Sequence, residues 1–286
     1  MTEILKGAPV VESLSNKLTK EVLMLKEKGI IPTLLILRVG ERPDDLAYER
    51  GVLKKAELIG IKVILKVLPI DVDQETFDIA LDEANNNSNV HGILMFRPLP
   101  SKLDNEKARK MLNPEKDIDG CTDGSLAGVF SNTELGFPPC TAKAAMEILK
   151  HYNIPIAGKK ACVIGRSLVI GRPVSMMLMH ENATVSICHT KTVNPAEIAR
   201  EADILICAAG KLRSVGKEYT NSNQVIIDVG INWDEEKEKI AGDVYFEEVE
   251  PNVKAITPVP GGVGTVTSTI LISHVIEACK RSNKEI

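Results

Sequence analysis

Residues 159–173, KKACVIGRSLVIGRP, constrain this chain more than any other stretch. An apolar run at 161–164 meets Gly165, crosses a loop, and re-enters order at Gly171-Arg172-Pro173. A strand, a glycine turn and a helix with proline near its first position deliver backbone N–H groups to a phosphate. The two glycines stand further apart than in G-x-G-x-x-G, and ordinary strand–turn–helix joints also carry such pairs. The surrounding pattern decides between them.

Downstream, residues 183–188, 203–207 and 224–229 read as short apolar strands. Asn194-Pro195-Ala196-Glu197 reads as a capping box that opens a helix. Repeated strand–helix units after a glycine turn predict a doubly wound, nucleotide-binding parallel sheet. Upstream, helical spacing over 9–28, 46–59 and 74–84 alternates with apolar runs at 33–39, 62–67 and 91–96. That alternation predicts a second parallel sheet covered by helices. Residues 101–140 are broken by prolines and glycines and mark the end of the first domain, with Thr141 as the cap of a helix reaching Tyr152. The amphipathic tail is expected to pack back on the first domain. The domains are therefore read as 1–140 with 267–286, and 141–266.

With 286 residues there is ample chain for two cores, and a net charge of -4 gives no electrostatic case for nucleic acid or an anionic membrane. No apolar segment approaches the roughly 20 residues that span a bilayer, and the N-terminus lacks a basic-then-apolar signal pattern. The six cysteines are scattered without C-x-x-C spacing, and Cys162, Cys188 and Cys207 lie in apolar runs. They read as reduced, buried thiols of a cytoplasmic protein, with no metal site.

Separated stretches, in order, match one family. They include Tyr48 with its helix to Gly60-Ile61, Pro98-Leu99-Pro100, Asp117-Ile118-Asp119-Gly120 and Pro139-Cys140-Thr141. Then come Gly165-Arg166-Ser167, the run from Asp228 to Asn232, Gly242-Asp243-Val244 and Pro260-Gly261-Gly262-Val263-Gly264. This set closely resembles the methylenetetrahydrofolate dehydrogenase/cyclohydrolase family, nearly end to end. The resemblance implies an α/β protein of two domains with a cleft between them, the second a Rossmann-type doubly wound parallel sheet. It also implies a homodimer that takes hydride from 5,10-methylenetetrahydrofolate; most members then hydrolyse the methenyl product.

In the family, a tyrosine is followed four residues later by a lysine, which leaves the two side chains ~40° apart on one helix face. A half-buried lysine has its pKa lowered and can move protons. Here Tyr48 is present, but the lysine position holds Val52. The family's glutamine, which hydrogen-bonds that lysine, is replaced by Phe96, and Asp45 stands where a serine is usual. Neither valine nor phenylalanine moves protons. Lys55 is a candidate substitute; the guanidinium of Arg97 stays protonated and makes a poor base. Asp119 matches the carboxylate that binds the pterin, and Pro260, Gly261 and Gly262 match a loop over the folate.

Hydride transfer asks of the protein mainly proximity and orientation. The reading is therefore a dehydrogenase with weak or absent cyclohydrolase activity. A full bifunctional enzyme and a catalytically silent folate- or nucleotide-binding homologue are the alternatives. Gly165, Arg166, Ser167, Thr190, Lys191, Gly210 and Ile231 are the expected cofactor contacts. The second strand of this half ends without the carboxylate that NAD sites use for the ribose hydroxyls, so NADP is expected rather than NAD, its 2′-phosphate met by Arg166, Thr190 and Lys191.

Overall fold

The strand Thr33–Val39 is buried along its whole length because both faces of its sheet are covered, which is why its sequence runs apolar instead of alternating. In this computed structural model, which describes residues 1–283, it lies between Lys62–Leu68 and Gly92–Met95, both parallel to it. The one charged residue on the strand, Arg38, is buried against Glu49, with Nε donating to Oε2 at 2.9 Å.

Helices pack on this sheet where the sequence supplies stop and start signals. Pro43–Ile59 begins with proline in its first turn and ends at Gly60, whose φ of 90° is left-handed. Its buried stripe is Asp45, Glu49, Val52, Ala56 and Ile59. Gln74–Asn86 is capped by Asp73, which accepts from the Thr76 N–H at 2.8 Å. The core beneath contains Leu37, Phe77, Leu81, Ile93 and Leu112. Residues 101–140 are more ordered than their composition predicts. They hold the helices Asn105–Met111 and Asp123–Ser131, capped by Asp104 and Thr122. Fully buried Asp117 anchors the stretch by accepting from the N–H groups of Cys121 and Thr122 and from the Ser125 hydroxyl.

These elements form one compact unit, Ser13–Cys140 with the segment from Ser268; Met1–Glu12 and Thr141–Thr267 form the other. The tail helix Val263–Ser282 clusters, from Ser268 on, with the unit that holds the first sheet. Residues 284–286 of that expected segment lie outside the described residues. The first twelve residues cluster with the second unit, not with 13–140, because Glu3–Ile4 pair with Ala255–Ile256.

The second unit holds a six-stranded parallel sheet, ordered Glu3–Ile4, Ala255–Ile256, Val225–Asp228, Ile204–Cys207, Lys160–Ile164, Thr184–Cys188. Lys160–Ile164 sits between strands that follow it in the chain, so the order reverses at its carboxyl end. Two local expectations are corrected. Asn194 adopts φ 50° and makes no cap bond; its side-chain amide turns to Glu197 at 3.5 Å, so no capping box forms. The helix expected to be capped by Thr141 already includes Cys140. An antiparallel hairpin, Asn232–Asp234 with Lys239–Ala241, was not expected from the sequence. Among the described residues no helix is long and apolar enough to cross a membrane.

Candidate active site

In the first unit, chemistry-bearing residues gather at the carboxyl ends of the strands. Tyr48 is half-buried on the helix Pro43–Ile59, and burial, with the Asp119 carboxylate nearby, pushes its phenol well up. Phe96, one residue past Gly92–Met95, meets the Tyr48 ring edge-on at 5.9 Å between centroids. Val52 is 0% exposed and Phe96 8%. Both side chains are part of the packed interior.

Asp119 reaches this group through the buried turn around Asp117. Burial and the neighbouring Asp117 raise its carboxyl to about 6, against the opposing pull of Arg97 and the Cys140 thiol. Cys140, fully inside, is pushed well up by burial and by Asp119, and its Sγ donates to the Ile118 carbonyl at 3.2 Å. Asp45 is held by Arg42 through paired bonds of 2.8 and 2.7 Å, so it is a partner of that guanidinium. Lys55 is half-buried, and burial lowers its ammonium.

In the second unit, the 165–171 loop sits where the strand order reverses, the place where open α/β sheets bind ligands. Gly165 has φ 124°, and a Cβ there would lie 2.1 Å from the Ala208 carbonyl oxygen. A Cβ on Gly171 would meet the Gly165 oxygen at 2.3 Å. Only glycines allow this fold-back, which brings the N-terminus of the helix Gly171–His180 against the strand end. The Ser167 hydroxyl accepts from the N–H groups of Ile170 and Gly171 at 3.1 and 3.4 Å, capping the helix from within the loop. Arg166, Thr190 and Lys191 are exposed, and none has a side-chain hydrogen bond or ion pair among the described residues.

Two buried carboxylates for which no role was expected, Asp228 and Asp243, organise the neighbouring loops. Asp228 accepts from the N–H groups of Gly230, Asp243 and Val244 at 2.9, 3.1 and 3.0 Å. Its carboxyl is nonetheless pushed up to about 7 by burial. Asp243 accepts from the N–H groups of Gly210 and Lys211, each at 2.9 Å, and from Asn232 Nδ2 at 3.0 Å. Gly210 and Ile231, both expected cofactor contacts, are thus set by one side chain or its neighbour. The glycines of Asp228-Val229-Gly230 and Gly242-Asp243 were the available signal. A Cβ on Gly230 or Gly242 would fall 2.3 or 1.8 Å from those carboxylate oxygens. Gly261 has φ 103°, and its carbonyl accepts from the Gly7 N–H at 2.8 Å, while a Cβ on Gly262 would meet the Pro258 oxygen at 2.5 Å. Pro260 and Gly261 are exposed. Tyr48, Phe96 and Asp119 come together in one unit; Gly165 to Ser167, Thr190, Lys191, Gly210, Ile231 and the 260–262 loop belong to the other.

Comparison with known proteins converges on one family. Residues 5–119 match the model of the tetrahydrofolate dehydrogenase/cyclohydrolase catalytic domain, and 139–283 that of its NAD(P)-binding domain. The bifunctional protein FolD of Carboxydothermus hydrogenoformans is 50% identical over 284 residues, 99% of each chain. Among solved structures, the FolD methylenetetrahydrofolate dehydrogenase/cyclohydrolase of Campylobacter jejuni superposes with a TM-score of 0.94 at 34% identity, covering 98% of this chain and 99% of that one. The Trypanosoma brucei enzyme, solved with NADP cofactor and an inhibitor, superposes at 0.90 and 33% identity, covering 98% of both.

Proposed function

This chain belongs to the tetrahydrofolate dehydrogenase/cyclohydrolase family, and from that premise we propose that it oxidises 5,10-methylenetetrahydrofolate to the methenyl form with NADP while hydrolysing the product weakly or not at all. The observation that carries this reading is the pairing of a buried Val52 with Phe96 edge-on to Tyr48. A cyclohydrolase must activate water and move its proton, a contribution of about 10²–10⁴-fold in rate. An isopropyl group and a phenyl ring supply none of it.

What remains suits binding and orientation. Asp119 accepts the paired N–H donors of the pterin's aminopyrimidine edge, and Tyr48 offers a ring face and a protonated phenol beside it. Pro260, Gly261 and Gly262 give backbone that a flat ring can approach closely. The glycine fold-back at Gly165 and Gly171 leaves room for a dinucleotide, with Arg166 and Ser167 against it and Gly210 and Ile231 flanking it. Thr190 and Lys191, with Arg166, meet a 2′-phosphate, which favours NADP over NAD. NADP, when bound, supplies the hydride acceptor. Two such chains form the working homodimer of the family.

The half-buried ammonium of Lys55, seven residues beyond Tyr48 with its pKa lowered, favours a second reading in which it replaces the missing lysine. Two assays on one preparation separate the readings. NADP⁺ reduction with methylenetetrahydrofolate should be robust, while methenyltetrahydrofolate should decay at its uncatalysed rate. Hydrolysis well above that rate, abolished by Lys55→Met, supports the second reading; absence of both activities leaves a silent binding module.

A further inference from the structure

The tail helix Val263–Ser282 reaches back to the turn that carries Asp119. His274, 3% exposed, holds its Nδ1 2.8 Å from the carbonyl oxygen of Ile118, 156 residues earlier in the chain. A carbonyl oxygen only accepts, so Nδ1 carries the proton and donates. The Cys140 Sγ donates to the same oxygen at 3.2 Å. Two buried side chains thus converge on one carbonyl.

The His274 ring is itself held in place. It lies 5.1 Å from the Phe137 ring, centroid to centroid, at 33°. The Arg281 guanidinium, about two turns further along the helix, stands 4.4 Å from the Phe137 centroid. It also donates to the carbonyls of Glu134 and Gly136 at 2.7 and 2.9 Å, which fixes the segment that leads into Phe137. His274, Phe137, Cys140 and the turn at 117–122 all belong to the first unit.

What makes the contact more than packing is the peptide on which it lands. The Ile118 carbonyl and the N–H and Cα of Asp119 share one rigid plane. A donor that fixes the carbonyl therefore fixes the direction in which Asp119 leaves the backbone. The far side of the residue is tied as well. Gly120 N–H donates to the Asp117 carbonyl at 3.1 Å, and the Cys121 and Thr122 N–H groups donate to the Asp117 carboxylate at 3.1 and 2.7 Å. On the near side the ties are His274 and Cys140, and the thiol is the weaker donor of the two. We propose that His274 is a positioning residue for Asp119, holding the peptide before it so that its carboxylate meets the paired N–H donors of the pterin edge. This rests on the reading of Asp119 as the pterin carboxylate. Buried as it is, His274 acts through Asp119 and not on the ligand.

Equilibrium binding of tetrahydrofolate to the full chain tests this. His274→Phe keeps a ring beside Phe137 and removes the donor. It should weaken tetrahydrofolate about tenfold, the upper range for one neutral hydrogen bond, with the KM for NADP within about twofold of the parent value. His274→Asn, whose Nδ2 lies as many bonds from the backbone as the imidazole Nδ1, should recover most of the loss. Asp119→Asn should weaken binding by itself. Adding His274→Phe to it should cost little more, because a residue that acts through Asp119 then has nothing left to place, whereas a merely structural role would add its loss in full. If His274→Phe melts early, His274→Leu takes its place in the same comparisons. With Asp119→Asn weakening binding, three results each overturn the role of His274: unchanged affinity without the donor, an equal loss in His274→Asn, or a fully additive loss in the double variant. If Asp119→Asn leaves the affinity unchanged, the reading of Asp119 fails, and the role of His274 with it.

Discussion

Phe96 meets Tyr48 edge-on, ring centroids 5.9 Å apart at 87°, a contact in which one side chain's packing depends on the other's. Phe96 thus fills the space beside Tyr48 with a ring that Tyr48 packs against, and Val52 is buried one turn further along the Tyr48 helix. On the proposed reading, introducing proton transfer needs both positions. Val52→Lys with Phe96→Gln is expected to raise methenyltetrahydrofolate hydrolysis at least tenfold. Val52→Lys alone should gain nothing and melt earlier, because it buries an ammonium with no acceptor. Progress curves and thermal melts on the three proteins check this; equal hydrolysis in all three would sink it.

Asp119 gives a pH signature. Its folded pKa, about 6, lies above the ordinary carboxylate value, so the folded state holds the proton more tightly than the unfolded chain. The stability this gives is fully present below the unfolded pKa, about 4, and is lost as pH rises through 6. Ligand binding runs the opposite way, since only the ionised form accepts two N–H donors. Tetrahydrofolate affinity should rise about tenfold per pH unit up to 6 and level off above. Asp119→Asn should bind weakly at every pH. A flat profile in the parent protein would contradict the assignment.

The two sheets were legible because their strands are short apolar runs between helix-period segments. Gly60 and Gly165 mark boundaries by chemistry that has few alternatives, whereas the helix expected from 46 starts three residues earlier, at Pro43. The helix Asp123–Ser131 was hidden by glycines that read as breaks, although Thr122 is an ordinary cap; Gly128 is there because a Cβ would lie 1.9 Å from the Leu135 oxygen. Trp233 and Ile240 pair across the unexpected hairpin with both side chains exposed, so no apolar alternation announces it. The roles of Asp228 and Asp243 were not legible for a different reason. Apart from the local bond from Gly230 to Asp228, each acts on backbone groups far along the chain, and sequence spacing carries no trace of which N–H a buried carboxylate will accept.

Cofactor choice should rest on charge at the end of Thr184–Cys188. Lys191 is exposed with no side-chain partner among the described residues, so its replacement costs the fold little. Lys191→Ala is expected to lower kcat/KM for NADP about five- to tenfold, less than the full worth of a charge-assisted bond because water and salt screen it. The value for NAD should stay within twofold. The discrimination should also shrink in the parent protein as salt is raised. Equal losses for both cofactors would show that Lys191 does not meet the 2′-phosphate.

Asp243 should control cofactor affinity without touching it. Its buried carboxylate accepts from Gly210 N–H, Lys211 N–H and Asn232 Nδ2, so one side chain fixes the loops that follow Cys207 and Asp228. Asp243→Ala leaves those three donors without an acceptor, each worth about 1–3 kcal/mol if it stays buried. The loops will move outward to find water before that cost is met in full. The KM for NADP should then rise at least tenfold, with a smaller change in tetrahydrofolate affinity, because Tyr48 and Asp119 belong to the other unit and of the expected folate contacts only the 260–262 loop shares a unit with Asp243. Asp243→Glu should not rescue it, since the glycine at 230 already lies where a Cβ would fall 2.3 Å from the Asp243 oxygen and leaves no room for another methylene. A lower melting temperature with an unchanged KM for NADP would reduce Asp243 to a purely structural residue.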